Sequence, residues 1–375
     1  MNVAVWMIAV WVLAGVVLTG CVFHLAGAVL VARFAARKLP PPLQRPPVTL
    51  MKPLCGAEPH LLDDLAGFWD EDWPCLRMVC GIKDPADPAV EVVRTLKDRL
   101  PHADIRLVVS GSTGAANAKV GNLMTMTAEA ADGVLVISDS DMRTGPGYLD
   151  AVAGTLAEPG VGLATCLYVG RPESDGWSAM AAMGINHSFL PAALVATALG
   201  RKDGCFGATM ALTRETLERV GGFEKIADTL ADDYHLGRLV RESGLSIALA
   251  PQLVETRVTE TRFAQLAAHE LRWGRTIASV APFSALASVV TQPALAWGLA
   301  PTPLWPLLFL ALACRWLAVR GEEHALSLPP SPLWRIVARD LLSLALFVAT
   351  FCGRSVTWRG RRYRIRRDGT LEARA

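Results

Sequence analysis

Val134-Leu135-Val136-Ile137-Ser138-Asp139-Ser140-Asp141-Met142 is an apolar run that ends in two carboxylates one residue apart. The run is short, rich in β-branched residues and uninterrupted, which predicts a central strand covered on both faces. In open α/β sheets ligands bind in the crevice beyond the carboxyl ends of the strands, so carboxylates at such a tip suit a binding site. Residues at i and i+2 of an extended chain point the same way. Asp139 and Asp141 are thereby placed to share one hard cation, whose other ligands come from water and a diphosphate. The plain alternative is an acidic turn after a strand, where Asp and Ser make local hydrogen bonds.

Upstream, Val48–Pro53, Leu76–Ile82 and Ile105–Val109 read as strands, with helices at about 58–69, 86–99 and 119–131 between them. This alternation predicts right-handed βαβ units around a parallel sheet. Downstream come a helix at about 146–156, a strand near 161–168, and a long apolar helix at about 176–199 carrying His187. Gly204–Met210 is small and flexible enough for close backbone approach to a ligand. A further helix opens at Leu230-Ala231-Asp232-Asp233-Tyr234-His235. The helix dipole favours acids there, which explains one of the two aspartates more easily than both. The helix at about 262–279 holds His269-Glu270-Leu271-Arg272-Trp273, and His269 and Arg272 share a face. Position 273 is Trp, so the metalloprotease pattern H-E-x-x-H is absent. A basic surface helix and a pyrophosphate-binding helix are the two readings of this stretch.

At 375 residues the chain has room for about two domains. Mean hydropathy is +0.32, with the apolar excess at the two ends, which indicates a membrane protein with a soluble middle. Residues 3–32 are apolar almost throughout, and about 20 such residues span a bilayer. The run is too long for a cleaved signal and no basic residue precedes it. Arg33, Arg37 and Lys38 place its far end in the cytoplasm. Prolines 40–42, 46 and 47 form a stiff linker. Apolar segments at about 282–300 and 303–319 predict a membrane hairpin. A third, at about 341–353, is short for a span and predicts a re-entrant or interfacial segment, with a full crossing, which puts the arginine-rich tail (Arg354 to Arg367) outside, as the alternative. The expected divisions are therefore 1–38, 39–281, 282–353 and 354–375.

A net charge of +2, with no interleaved basic and aromatic stripe, disfavours nucleic acid as a partner. The eight cysteines form no C-x-x-C pair and sit mostly in apolar runs, predicting reduced thiols without a disulfide framework or zinc. No G-x-S-x-G nucleophile constellation occurs.

Asp84 after the second strand, Asp139-x-Asp141, Asp232-Asp233 and H-x-x-R-W ahead of apolar segments stand in one order along the chain. With Lys52-Pro53-Leu54, Asp84 to Pro88, Asn117 to Leu123 and the terminal Trp358 to Arg364, this layout resembles the ceramide glucosyltransferase family, glycosyltransferase family 21, which is family 2-like. Its S-D-S-D-M, G-I-N-H-S-F-L-P, C-F-G-A-T and H-E-L-R-W stretches are most similar to bacterial hopanoid-biosynthesis-associated members.

The resemblance implies an α/β GT-A (nucleotide-diphospho-sugar transferase) domain with flanking transmembrane helices, facing the cytoplasm from a bacterial inner membrane that the chain crosses several times. It implies a divalent cation, Mg²⁺ or Mn²⁺, a UDP-sugar donor carrying glucose or N-acetylglucosamine, and a lipid acceptor, either a hopanoid such as bacteriohopanetetrol or ceramide. Residue by residue, it assigns Asp233 as catalytic base, Asp141 to the metal, and Asp84, Asp139, Arg272 and Trp273 to the donor. Asn117 and Lys119 are candidate donor contacts, with a helix cap and a solvated lysine as equal alternatives. His187, Cys205, Asp232 and His269 are candidate contacts of acceptor or diphosphate, and His269 departs from the family's Gln or Arg at the first position of its motif. A polysaccharide synthase needs more membrane helices than are found here. A non-catalytic scaffold has no use for Asp141 and Asp233.

Overall fold

The structure, a computed structural model, describes residues 3–37, 42, 44–353, 355–358, 361–365 and 370–373. The chain divides into two compact units. One comprises Arg37–Val169 and Arg201–Arg257, the other Met1–Ala36, Gly170–Gly200 and Val258–Ala375. Residues 170–200 and 258–281, expected in the same division as the sheet, thus group with the terminal segments.

The sheet has eight strands: β1 (Val48–Leu54), β2 (Leu76–Ile82), β3 (Asp104–Val109), β4 (Val134–Ser138), β5 (Met142–Arg143), β6 (Val161–Pro172), β7 (Thr209–Thr213) and β8 (Ser246–Val258). Their order is β3-β2-β1-β4-β7-β6-β8-β5. β1 pairs in parallel with β2 and β4, and β2 with β3. Each of these connections carries a helix, as parallel pairing requires. β7 lies antiparallel to β4 and to β6, and β5 antiparallel to β8. The sheet is therefore mixed, and the expected parallel arrangement describes only its first half.

β4 is central, with β1 on one side and β7 on the other, and all five of its residues are buried. Alternate side chains enter two separate cores. Leu50, Val136 and Ala211 face one, with Val93 and Leu96 from helix Ala89–Arg99. Met51, Ile137 and Met210 face the other, with Val120, Leu123 and Met126 from helix Ala118–Met126. Burial on both faces explains why the sequence shows a continuous apolar run instead of alternation.

In the other unit, helix Val3–Ala35 exposes Val5, Ile8, Trp11, Val12 and Val22. Among the described residues it is one of two helical stretches long and apolar enough to cross a membrane; Trp177–Ala198 is the other. The segment at 282–300 is not the continuous helix expected for one arm of a hairpin. It breaks into helix Pro282–Ala287 and two 3₁₀ stretches, Ser288–Thr291 and Pro293–Leu299. Pro293 lacks an N–H and holds Gln292 extended, at φ −84° and ψ 106°. The last apolar segment is longer than expected, a 19-residue helix Leu333–Phe351. Its early turns hide Arg339 and Asp340 in ion pairs with Glu270 and Arg315, at 2.6 and 2.9 Å, so hydropathy alone starts it too late. A small antiparallel sheet of β9 (Ser355–Trp358), β10 (Arg361–Ile365) and β11 (Leu371–Ala373) follows. Lys38, Pro40, Pro41, Arg354, Arg359, Arg366 and Arg367 lie outside the described residues. All eight cysteines are free.

The entry to β4 sets a sharp constraint. Gly133 has φ +133°, and a Cβ there would sit 2.3 Å from the Pro47 carbonyl oxygen, which accepts from Val134 N. Gly133→Ala should destabilise the protein by about 2–4 kcal/mol, combining backbone strain with a backbone clash. Chemical denaturation of the two proteins checks this; an unchanged midpoint would show that the loop relaxes freely.

Candidate functional site

The β4 ladder stops at the pair Ser138↔Thr209, and pairing resumes at Met142↔Thr256. The three residues between, Asp139 to Asp141, leave the sheet, with a 3.4 Å contact from Met142 N to the Asp139 carbonyl. Asp141 Oδ2 accepts from Thr256 Oγ1 at 2.6 Å. Asp139 Oδ1 lies 2.8 Å from Lys119 Nζ, and the same ammonium lies 2.9 Å from Asp232 Oδ2. Lys119 therefore bridges the strand tip and the start of helix Asp232–Glu242; it is not a solvated lysine.

Asn117 is the N-cap of helix Ala118–Met126. Its side-chain oxygen accepts from Lys119 N and Val120 N at 3.0 and 3.3 Å, and its Nδ2 donates to Thr229 O at 2.8 Å. Both ends of the side chain serve the fold, and the cap aims Lys119 into the cluster.

Asp233 Oδ2 accepts from Gly207 N at 3.1 Å and its Oδ1 from Tyr234 N at 2.7 Å. The glycine is central to the arrangement. A Cβ built at Gly207 would lie 3.6 Å from each of Asp139 Oδ2, Asp233 Oδ2 and Lys119 Nζ, so three charged groups converge on one bare Cα. Burial, and then the charge of Asp232, push the Asp233 carboxyl up to about 6, with Lys119 pulling the other way. Burial and Asp139 likewise raise Asp141, against the hydrogen bond from Thr256. For Lys119 burial works downward, but Asp139 and Asp232 outweigh it and hold the ammonium above its ordinary value.

Lys52 also belongs to the cluster, although its motif carries no role in the sequence reading. It is fully buried, and its Nζ donates to the Asp139 carbonyl at 2.6 Å and to Ser138 Oγ at 3.2 Å. The same Nζ stands 4.4 Å from the Phe68 ring centroid. Burial pushes its ammonium down to about 8 against the opposing pull of Asp141 and Asp139. The available signal was a single lysine within the otherwise uncharged strand V-T-L-M-K-P-L.

Among the described residues no group of three or more His, Cys, Asp or Glu side chains forms a metal cage. The oxygen donors of Asp139 and Asp141 nevertheless suit Mg²⁺ or Mn²⁺, which need few protein ligands when a diphosphate supplies others. Two lysines facing four aspartates leave the cluster with excess negative charge, which a divalent cation would offset.

The other expected site residues are placed as follows. Asp84 is exposed in the loop after β2, where its Oδ1 accepts from Ala86 N at 2.9 Å. Nearby Asp87 ties this loop to the one after β1 by accepting from Gly56 N at 2.9 Å. Cys205 is a buried core residue, with burial first among the causes holding its thiol well above the ordinary value. His187, His269, Arg272 and Trp273 belong to the unit formed by the terminal segments. There, His187 sits in a π-helical turn with Nδ1 2.7 Å from Glu322 Oε2. His269 Nδ1 lies 2.6 Å from Glu260 Oε1, and its ring meets Trp273 edge-on at 4.5 Å.

Residues 9–371 match the sequence model of the family described as glycosyl transferase family 21. Ceramide glucosyltransferase 1 of Caenorhabditis elegans is 24% identical over 214 residues, covering 57% of this chain and 46% of that protein. The ceramide glucosyltransferase of Komagataella phaffii is 27% identical over 132 residues, 34% of this chain and 26% of that protein. The chain thus spans less than half the length of these curated relatives. Of solved structures, the mannosyltransferase PcManGT from Pyrobaculum calidifontis, in complex with GDP-Man and Mn²⁺, superposes with a TM-score of 0.52 at 19% identity, covering 91% of this chain and 98% of that one. The likeness is one of fold, and the fold is GT-A.

The raised carboxyl of Asp233 has a consequence for stability. A folded-state value near 6, above the ordinary 3.8, means that ionisation costs the native state more than the unfolded chain as pH rises from about 4 to about 6. Asp233→Asn removes that cost but also gives up one of the two backbone N–H bonds to the carboxylate, a pH-independent loss, so its stability relative to wild type should improve as pH rises from about 3 to about 8. The pH-dependent gain should shrink as pH falls and vanish only below about pH 3, where Asp233 is protonated in both the folded and the unfolded chain. Thermal unfolding of both proteins at the two pH values tests the sign; a pH-independent difference would contradict it.

Proposed function

The chain belongs to glycosyl transferase family 21, and from that premise we propose that it is a membrane-bound inverting glycosyltransferase that moves a sugar from a UDP-sugar to the primary hydroxyl of a lipid. The observation that carries this reading is Asp233, a carboxylate held by Gly207 N and Tyr234 N beside the Lys119-bridged pair Asp139 and Asp232. A general base is most effective when its pKa lies near the working pH, and a value near 6 meets that condition.

In the proposed reaction Asp233 takes the proton of the lipid hydroxyl as its oxygen attacks the anomeric carbon from the side opposite UDP, giving a β-linkage from an α-linked donor. Both Asp233 oxygens are fixed by backbone donors, so the base is oriented before the acceptor arrives. Asp141 and Asp139 would hold a divalent cation, which when bound supplies positive charge against the diphosphate. Lys119 adds a second fixed positive charge in the same cluster, where charge develops on the leaving group. Asp84 is assigned to the uridine or ribose, and Arg272 and Trp273 to the diphosphate side of the donor. Asn117 serves by aiming Lys119. His187, Cys205, Asp232 and His269 are held as contacts of acceptor or diphosphate, Asp232 through its bond to Lys119.

The acceptor we propose is a hopanoid polyol such as bacteriohopanetetrol, with N-acetylglucosamine or glucose as the sugar; the resemblance of several short stretches supports it. The ceramide glucosyltransferases found among the relatives favour a second reading, glucosyl transfer to ceramide. Helix Val3–Ala35, long and apolar enough to cross a membrane, supports membrane anchoring; a bacterial inner membrane, a cytoplasmic carboxylate cluster and further crossings by the carboxyl-terminal segments are part of the same proposal.

Purified protein in detergent, given UDP-glucose or UDP-N-acetylglucosamine with either lipid and with Mn²⁺ or Mg²⁺, should transfer sugar, and EDTA should abolish the transfer. Transfer should rise with pH through about 6 as Asp233 ionises. Asp233→Asn should lose at least about a hundredfold in turnover, the range of general-base loss, while still binding UDP. A variant that keeps its turnover would mean that Asp233 is not the base. Failure with every pair, in folded protein that binds UDP, would favour a non-catalytic scaffold.

A further inference from the structure

Among the described residues Lys52 is the one fully buried lysine outside the groups already given a task, and nothing about the fold of β1 calls for a charge there. A methionine or leucine fills the same strand position without the cost of removing an ammonium from water. The lysine projects from an otherwise uncharged strand whose seven residues are all buried. Its bonds go to one place, the Asp139 carbonyl and Ser138 Oγ, at the point where β4 gives way to the carboxylates.

The backbone explains why a side-chain donor is useful at that point. The parallel ladder between β1 and β4 runs through Val48↔Val134, Thr49↔Leu135, Leu50↔Val136 and Met51↔Ile137, and ends there. Residue 53 is proline and has no N–H, so β1 cannot extend the ladder at that position. On the opposite side the β4–β7 ladder ends at Ser138. The Asp139 carbonyl lies beyond both ladders, with Met142 N 3.4 Å away and Lys52 Nζ at 2.6 Å as its short partner. Lys52 supplies a charged donor where the sheet has run out of backbone donors, and charge-assisted bonds are the stronger kind.

We propose that Lys52 is a positioning residue: by fixing the Ser138–Asp139 backbone it sets the aim of the Asp139 and Asp141 carboxylates toward a divalent cation and the diphosphate it carries. The inference deepens the donor-binding part of the proposed function and rests on it. Lys52 acts on the ligands through the main chain, as outer groups that orient metal ligands do; their loss costs roughly 10–100-fold in metal affinity.

The test compares full-length wild type with Lys52→Met in detergent. Mn²⁺ binding is read by electron paramagnetic resonance with and without UDP, and UDP binding by calorimetry at saturating Mn²⁺. Lys52→Met should remain folded, with an unfolding temperature at or above that of wild type, yet bind Mn²⁺ in the presence of UDP at least about tenfold more weakly. The double variant Lys52→Met/Pro53→Ala restores a backbone N–H beside the lost ammonium and should recover part of that loss. Folded Lys52→Met with wild-type Mn²⁺ and UDP binding would overturn the proposal. If Lys52→Met does not fold, the double variant decides: folding with weakened Mn²⁺ binding supports a positioning role, whereas wild-type binding or failure to fold makes Lys52 purely structural and overturns it. Asp233→Asn separates this result from the broader reading, since it should bind Mn²⁺ and UDP normally and lose transfer. Absence of UDP binding in wild type would instead sink the donor reading and this proposal with it.

Discussion

Lys119 joins the two halves of the carboxylate cluster. The strand tip and the start of helix Asp232–Glu242 are each acidic, and both deliver their carboxylates to partly buried positions. Placed together without a cation, Asp139 and Asp232 would repel in a medium that screens charge poorly. The ammonium, with only 11% of its side chain exposed, accepts the cost of burial and makes the approach favourable. Its direction comes from the Asn117 cap, and the approach of the third partner, Asp233, is permitted by the bare Cα of Gly207. One cap, one lysine and one glycine thus hold together groups from three separate stretches of chain.

The parts of this arrangement that could be read in the sequence are those encoded locally. The β4 run has no helical period, is β-branched and ends abruptly in polar residues, so both the strand and its carboxylates could be placed by inspection. The adjacent acids Asp232 and Asp233 exceed what a helix start needs, which marked them as candidates. Strand direction was less legible, because β7 follows a long excursion through 170–200 that carries no local sign of which way the chain returns. The partners of Lys119 were not legible either. A lysine on the first turn of a helix is ordinarily solvated, and only tertiary contacts from distant segments bury this one. Lys52 was plainly visible as a charge in an apolar strand, but its meaning depends on a ladder that ends one residue earlier and on the missing N–H of Pro53.

The apolar carboxyl-terminal segments show the same limit in reverse. A window of hydropathy sees apolar residues but not the backbone, so it runs straight through Pro293, where the helix must break. It also stops short at Arg339 and Asp340, although both charges are paired inside the unit and the helix continues through them. Charges within an apolar bundle mislead a composition count most when they are fully satisfied, because satisfaction lets them occupy positions that hydropathy reserves for apolar residues.

The same electrostatics sets the terms on which Asp233 would serve as the proposed base. Burial and Asp232 both favour its protonated form, which cannot accept a proton from an acceptor hydroxyl. Lys119 opposes them twice, by its direct attraction for Asp233 and by pairing with Asp232, the neighbour whose charge does the harm. The outcome is a carboxyl poised near 6, high enough to bind a proton usefully and low enough to be mostly free of one at neutral pH. A lysine that only bound the donor would have no need to reach Asp232. Its position between Asp139 and Asp232 gives it effects on both sides of the proposed reaction, holding charge where the diphosphate departs and keeping the base ionised where the acceptor attacks.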